Sequence, residues 1–243
     1  MTPTDRPNTT PKAASDGFYA MVRKIIGFMV AVSWRTDFMG AHNFPASGPY
    51  IVAINHLSAF DAPVTLLIVP ARTRMFGADK WRSIPIWGRL IEAMGVIWVN
   101  RGTADLDAIK AALHVLKSGG RICVAPEGTR SPTGVMIEGK PGLAYLADRA
   151  KVPIVPVAMW GTERVAAAWK RLRRPLVKCV VGEPIMLPND GRAKGTRLDE
   201  LTDMIMCRIA VLLPAEYRGV YANHPLLLEM LQAANGPTPG GAG

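Results

Sequence analysis

Six short apolar runs, at 50–55, 74–78, 96–100, 121–125, 154–160 and 177–181, alternate with stretches of helical periodicity along this chain. Runs of that length, bounded by turn residues, predict buried strands, and their alternation with helices predicts a layered α/β domain. The clearest helix spans Ala104–Lys117. Thr103 is its candidate N-cap, Asp105 and Asp107 suit the positive helix start, Leu106, Ile109, Leu113 and Leu116 form an apolar stripe, and Gly119 suits the stop. A later helix is predicted from Leu198 to Leu213, after Thr196 and ending at Pro214. No internal repeat interrupts this pattern.

A chain of 243 residues that is 49% hydrophobic buries about 70–75% of its unfolded surface, enough for one main domain without disulfides or structural metal. Its cysteines, Cys123, Cys179 and Cys207, are odd in number and far apart, which fits a reducing compartment. His42, His114 and His224 stand at no metal-ligand spacing, so neither metal nor cofactor is predicted. The formal charge of +10 points to an acidic partner surface: anionic lipid, nucleic acid or a phosphorylated substrate. The absence of zinc-finger spacing, an RNP-type aromatic motif or a helix-turn-helix pattern argues against nucleic acid.

Residues 1–16, rich in Thr, Pro and Asp, are predicted to be a disordered tail rather than a secretory signal, and 235–243 a flexible one. Between the first tail and the main domain at 40–234 lies an amphipathic element, 17–39, with Phe18, Met21, Val22, Ile25, Met29 and Val32 at helical spacing. Its uncharged stretch, Ile25 to Trp34, rises only about 15 Å against a hydrocarbon core of about 30 Å. Such a helix lies in a membrane interface, with Arg23, Lys24 and Arg35 near headgroups, or packs on the domain.

Chemistry enters with Asn55-His56-Leu57-Ser58-Ala59-Phe60-Asp61. A histidine at a strand end and a carboxylate a short turn later form a base and its orienter: the imidazole takes a proton, and the carboxylate fixes the tautomer and stabilises the imidazolium. Ser58 would be a rival nucleophile, but no Gly-x-Ser-x-Gly elbow occurs. Two further stretches end strand-like runs: Gly95-Val96-Ile97-Trp98-Val99-Asn100-Arg101 and Ala125-Pro126-Glu127-Gly128-Thr129-Arg130-Ser131. The guanidiniums of Arg101 and Arg130 suit a phosphate held bidentately, and Glu127 suits a hydroxyl donor or Arg130.

Those three blocks in that order, with Val152-Pro153-Ile154-Val155-Pro156-Val157 as a fourth, resemble the glycerophospholipid acyltransferase family, typified by 1-acylglycerol-3-phosphate acyltransferases. The resemblance runs from about Gly40 to about Pro188. It implies an acyltransferase-type α/β fold, a layered mixed sheet flanked by helices and preceded by a membrane-associating helix. It also implies direct acyl transfer, from acyl-CoA or acyl-ACP as co-substrate, to the free hydroxyl of 1-acyl-sn-glycerol 3-phosphate. His56 and Asp61 are then catalytic, Glu127, Gly128, Thr129 and Arg130 bind the acceptor with Arg101, and Lys80 and Lys140 match family lysines placed to touch a phosphate. Gly88 and Gly95 look like family glycines that permit close packing.

Leu57, Ala125 and Gly139 depart from the family pattern and are expected to alter pocket walls; Phe60 and Trp98 are candidates for the acyl path or plain core. Lys170, Arg171, Arg173 and Arg174, after Trp169, add about 1 kcal/mol each of attraction to anionic lipid when close to a membrane. Together these features predict an enzyme at the cytoplasmic face of a membrane, peripheral or monotopic. Other acceptors, namely glycerol 3-phosphate, another lysophospholipid or a lyso-ornithine lipid, would use the same base. A non-catalytic basic membrane-binding module is the alternative of a different class, and the set His56, Asp61, Glu127 and Arg130 argues against it.

Overall fold

The computed structural model describes residues 15–100, 105–188 and 192–235. Each of the six predicted strands forms: β2 (Tyr50–Ile54), β3 (Arg74–Ala78), β4 (Ile97–Val99), β5 (Arg121–Val124), β6 (Ile154–Trp160) and β7 (Leu176–Val181). A seventh strand, β1 (Arg35–Met39), escaped the sequence reading, which placed these residues with the N-terminal helical element. Its side chains are mostly exposed, so no apolar run marked it.

The seven strands form one sheet in the order β1-β7-β6-β2-β5-β3-β4. β6, β2, β5, β3 and β4 are mutually parallel, while β7 runs antiparallel to β6 and carries β1 parallel to itself. The sheet is therefore mixed, as expected. The parallel block needs crossover helices on its faces, and β2, inside it, is buried along its whole length, which is why it reads as an unbroken apolar run.

Side-chain alternation divides the core. From β2, Ile51 and Ala53 face one layer with α4 (Leu106–Lys117), α5 (Gly142–Ala150) and α7 (Thr196–Leu212), whose Ala112, Leu146 and Ile205 are buried there. Tyr50, Val52 and Ile54 face the other, against Val64 and Ile68 of α2 (Asp61–Ile68) and Val30 of α1 (Asp16–Ser33). The smaller α3 (Trp87–Ala93) and α6 (Val165–Lys170) follow β3 and β6. α8 (Pro225–Asn235), not anticipated from the sequence, packs on α7.

α1 begins at Asp16, where the Ser15 side chain accepts the Phe18 N–H at 3.4 Å. It buries Tyr19, Val22 and Val30 and turns Met21, Ile25, Phe28 and Val32, one stripe at helical spacing, to the outside. Among the described residues no helix is long and apolar enough to cross a membrane.

The helix predicted over Ala104–Lys117 starts at Leu106, capped by Asp105, whose carboxylate accepts the N–H of Ala108 and of Asn100, each at 2.9 Å. Thr103, the expected cap, lies outside the described residues. Asp105 serves because its second oxygen also closes the end of β4. Leu106 is exposed and the buried face is carried by Ala108, Ala111, Ala112, Val115 and Leu116, so the stripe is turned from the expected one. Gly119 stands just past the stop at φ +80°, as its position requires. The late helix ends at Leu212, before Pro214.

One buried side chain fastens the central strands. The Asn55 amide donates to the Met159 carbonyl and accepts the Met159 N–H, both at 2.8 Å, joining the end of β2 to β6. Asn55→Ala leaves both backbone groups buried and unpaired. Urea denaturation should show a loss of about 2–3 kcal/mol, because each orphaned buried group costs about 1–3 kcal/mol.

Candidate active site

The parallel strands present their C-terminal ends on one edge of the sheet, where α/β proteins build their sites. His56 follows β2 there, Glu127 follows β5, and Thr162 follows β6. Asp61 opens α2, so its carboxylate sits at the positive end of a helix.

The predicted pair is formed. His56 Nδ1 lies 2.7 Å from Asp61 Oδ2, which also accepts the Ser58 N–H at 2.9 Å. Asp61 Oδ1 accepts the Thr162 hydroxyl. Asp61 is only 3% exposed, so these donors supply the compensation that a buried carboxylate demands. With Nδ1 turned to a carboxylate, the tautomer is fixed with the proton on Nδ1, leaving the Nε2 lone pair to accept one. Ser58 serves this pair through its backbone; its hydroxyl accepts the Phe60 N–H at 3.1 Å.

Glu127 stands elsewhere than expected. It is 0% exposed, and both its oxygens are taken by main chain: Oε1 accepts the His56 N–H at 2.8 Å and Oε2 the Ile137 N–H at 3.2 Å. The Ser131 N–H donates to the His56 carbonyl at 2.8 Å. Residues 127–131 thus clasp the backbone of the histidine from both sides, a brace that nothing in the residue types announced. Burial pushes the Glu127 carboxyl up to about 7, against the lowering effect of its two backbone hydrogen bonds.

Gly128 holds φ +67° in the turn closed by its N–H to the Ala125 carbonyl at 3.0 Å. A side chain there would also meet the stem of Lys140, whose Cδ lies 3.0 Å from where a Cβ would stand. Thr129 and Arg130 are exposed beside this turn. Lys140 is exposed too, its N–H anchored to the Pro126 carbonyl at 2.8 Å.

A cavity of about 680 Å³ opens against this edge. His56, Asp61, Asn100, Asp105, Gly128 and Lys140 give it polar points, and Ile54, Met75, Phe76, Val99, Val124, Ile109, Leu143 and Leu146 give it apolar walls. It extends past both faces of the sheet, since Ala62 and Thr65 of α2 and Ala108 of α4 also line it. Cys123 is in the wall, but burial pushes its thiol up to about 12, so no thiolate nucleophile is at hand. Among the described residues no His, Cys, Asp and Glu side chains gather into a group that could hold a metal ion.

The other expected residues sort by position. Arg101 lies outside the described residues. Lys80 is exposed, with its ammonium 5.6 Å from the centre of the Trp81 ring and outside the cavity wall. Trp98 is buried away from the cavity, and Phe60 packs edge-on to Trp34 and Trp169 at 6.0 and 5.3 Å, so neither lines an acyl path. Of the three departures only Ala125 reaches the cavity; Leu57 is core, and Gly139 packs on α7, where a Cβ would come 2.7 Å from Met206 Cγ. Gly88 and Gly95 do permit close approach: a Cβ at Gly88 would fall 2.4 Å from the Arg82 carbonyl oxygen, and Gly95, at φ +79°, makes room for the Arg74 guanidinium. Thr162 was missed, as a lone threonine after a strand carries no sequence signal of a contact with Asp61.

The fold and this edge define an α/β protein that presents a histidine–carboxylate pair to a largely apolar cavity. The chain belongs to the Acyltransferase family, whose model it matches over residues 35–160. It is 35% identical over 128 residues to human 1-acyl-sn-glycerol-3-phosphate acyltransferase alpha, a match covering 51% of this chain and 45% of that protein. It is 28% identical over 182 residues to the chloroplastic 1-acyl-sn-glycerol-3-phosphate acyltransferase BAT2 of Brassica napus, covering 73% and 50% respectively. The chain thus spans about half the length of the curated relatives it matches. In fold it is similar to the crystal structure of the 1-acyl-sn-glycerophosphate acyltransferase PlsC from Thermotoga maritima, with a TM-score of 0.61 at 24% identity over 77% of this chain and 76% of that one.

The raised Glu127 carboxyl gives a pH signature. Its folded state holds a proton that the unfolded chain has released between about pH 4.5 and about 7, so Glu127 lowers stability as pH rises through that window and adds no further slope above it. Up to about 3 kcal/mol is at stake at about 1.36 kcal/mol per unit. Subtracting the unfolding free energy of Glu127→Gln from that of the wild type, at successive pH values, should expose this falling segment.

Proposed function

We propose that this protein moves a fatty acyl group from a thioester, carried by coenzyme A or acyl carrier protein, to the free hydroxyl of 1-acyl-sn-glycerol 3-phosphate, giving phosphatidic acid. The observation that carries the reading is the His56–Asp61 contact of 2.7 Å at the wall of a largely apolar cavity. In the reaction, Nε2 of His56 takes the hydroxyl proton as the acceptor oxygen attacks the thioester carbonyl. The carbon–oxygen bond forms, the carbon–sulfur bond breaks, and the imidazolium returns its proton to the leaving thiolate. Asp61 orients the ring and offsets its charge while it holds that proton.

The apolar walls suit an acyl chain, and cations at the rim suit phosphate. In this reading Lys140, which lines the cavity, and the exposed Arg130 meet the phosphate, with Thr129 and Gly128 shaping the turn, while Arg101 and Lys80 keep only the phosphate-binding role that the family resemblance implies. Glu127 acts through His56, holding the backbone that aims the ring. The same chemistry serves glycerol 3-phosphate or another lysophospholipid, and the relatives named for 1-acyl-sn-glycerol 3-phosphate favour that acceptor.

The acceptor is amphiphilic, so the enzyme is placed at a membrane surface, peripheral or monotopic and on the cytoplasmic face. The exposed stripe of α1 and the loop after α6 support this. Lys170 ends α6, and the loop carries Arg171, Arg173 and Arg174 around Leu172, which is 97% exposed. Arg174 ties the loop to the end of α1 by donating to the carbonyls of Ala31 and Trp34, the latter at 2.6 Å. Cations and apolar side chains are thereby presented together, the combination that binds anionic lipid.

The purified protein should acylate 1-acyl-sn-glycerol 3-phosphate in liposomes supplied with acyl-CoA or acyl carrier protein, with phosphatidic acid read by mass spectrometry. His56→Ala should lower the rate about 10²–10⁴-fold, the range for loss of a general base. No product from wild type with either donor would remove the lysophosphatidate assignment; product from the variant at the wild-type rate would remove His56 as the base.

A further inference from the structure

The crossover from β3 to β4 joins two strands whose Phe76 and Val99 line the cavity. It projects an unusual surface. Trp81 is 48% exposed, Ile86 79% and Trp87 62%, three large apolar side chains within seven residues. Ile86 also holds φ +69°, a left-handed backbone that a β-branched residue rarely adopts and that glycine would take without strain. Strain at an exposed isoleucine contributes nothing to the core and is of the kind that gathers at functional surfaces.

The projection is braced. Arg82, half-buried beneath it, reaches Asp79 at 4.0 Å and Glu92 at 3.5 Å, and Gly88 packs on the Arg82 carbonyl while its N–H donates to Ile84 at 2.8 Å. The acidic groups of the segment are thus engaged by Arg82, whereas Lys80 and Arg89 stand exposed at its rim. Leu90 of α3 packs into the cluster of Tyr19, Val22 and Leu66, fixing α3 beside α1.

We infer that the segment Trp81–Trp87 is a second membrane-contact element, which seats its indoles and Ile86 in the headgroup–acyl boundary and holds the cavity edge against the bilayer. This rests on the proposal that the acceptor resides in a membrane. Two indoles and an aliphatic side chain with cations at the rim have the composition of that boundary, where the rings span the apolar and wet zones. Leu90 shares one apolar cluster with Tyr19 and Val22, which ties the segment to the helix already proposed to meet the bilayer.

The test places an environment-sensitive fluorophore on Ile86→Cys in the full chain; the native cysteines are buried and do not compete. Vesicles of phosphatidylcholine and phosphatidylglycerol should shift its emission to the blue, at the same lipid concentrations that shift a probe on Phe28→Cys in α1. A silent Ile86 probe where the Phe28 probe responds overturns the inference, as does a response to acyl carrier protein alone, which would make the patch a protein-docking site. Trp81→Ser with Ile86→Gly and Trp87→Ser should weaken vesicle partitioning about tenfold or more with the unfolding midpoint kept, and wild-type partitioning by that variant equally overturns it. None of these readouts needs acyl transfer, so vesicle insertion without phosphatidic acid formation would sink the proposed reaction alone.

Discussion

The buried carboxylate of Asp61 is the constraint on which the site depends. A charge taken out of water is tolerated only where donors replace the lost hydration. Here they come from three places: the His56 ring, the Ser58 main chain and the Thr162 hydroxyl. Satisfying Asp61 therefore fixes the turn between β2 and α2 against the end of β6. The Asn55 clamp on Met159 secures the same two strands one residue before the histidine. Losing the Ser58 or Thr162 donor leaves the carboxylate that orients the ring short of compensation, so geometry and charge compensation at this edge are linked.

Two carboxylates hold one histidine, by different means. Asp61 acts on the ring, and Glu127 acts on the main chain, with Ser131 completing its grip. The Pro-Glu-Gly-Thr-Arg-Ser block and the His-x-x-x-x-Asp block are therefore not two independent subsites. The second block positions the residue that the first one supplies. Gly128, at φ +67°, lets the chain turn sharply enough for Glu127 to reach inward while Thr129 and Arg130 face out.

The sequence revealed what periodicity and spacing can encode. The buried parallel strands were legible because, Arg74 and Arg121 at the start of β3 and β5 apart, their side chains are apolar, and His56 with Asp61 because a five-residue spacing after a strand end brings them together. β1 was not legible, since an edge strand reading Arg-Thr-Asp-Phe-Met has no burial pattern. The Asp105 cap was missed for Thr103 because both residues suit the role and only the contact to Asn100 distinguishes them. Glu127 was expected to face the acceptor, since residue type cannot show that both oxygens are spent on backbone N–H groups. Thr162, 101 positions from Asp61, is a tertiary contact with no local mark.

Both His56 and Asp61 also act on the Glu127 carboxyl. Asp61 raises the Glu127 carboxyl while a charge on His56 lowers it, both as smaller effects than burial. In the proposed reaction His56 becomes cationic when the acceptor oxygen attacks. At that moment the ring is hydrogen-bonded by Asp61, and Glu127 is itself made easier to ionise. A carboxyl poised at about 7 then responds to the charge of the ring, and its ionised form is the one able to accept both backbone N–H groups. The clasp on His56 thus joins a main-chain brace to a carboxyl that senses the charge of the ring. A glutamine there would lack this response, because one face of an amide accepts and the other donates whatever the state of the ring.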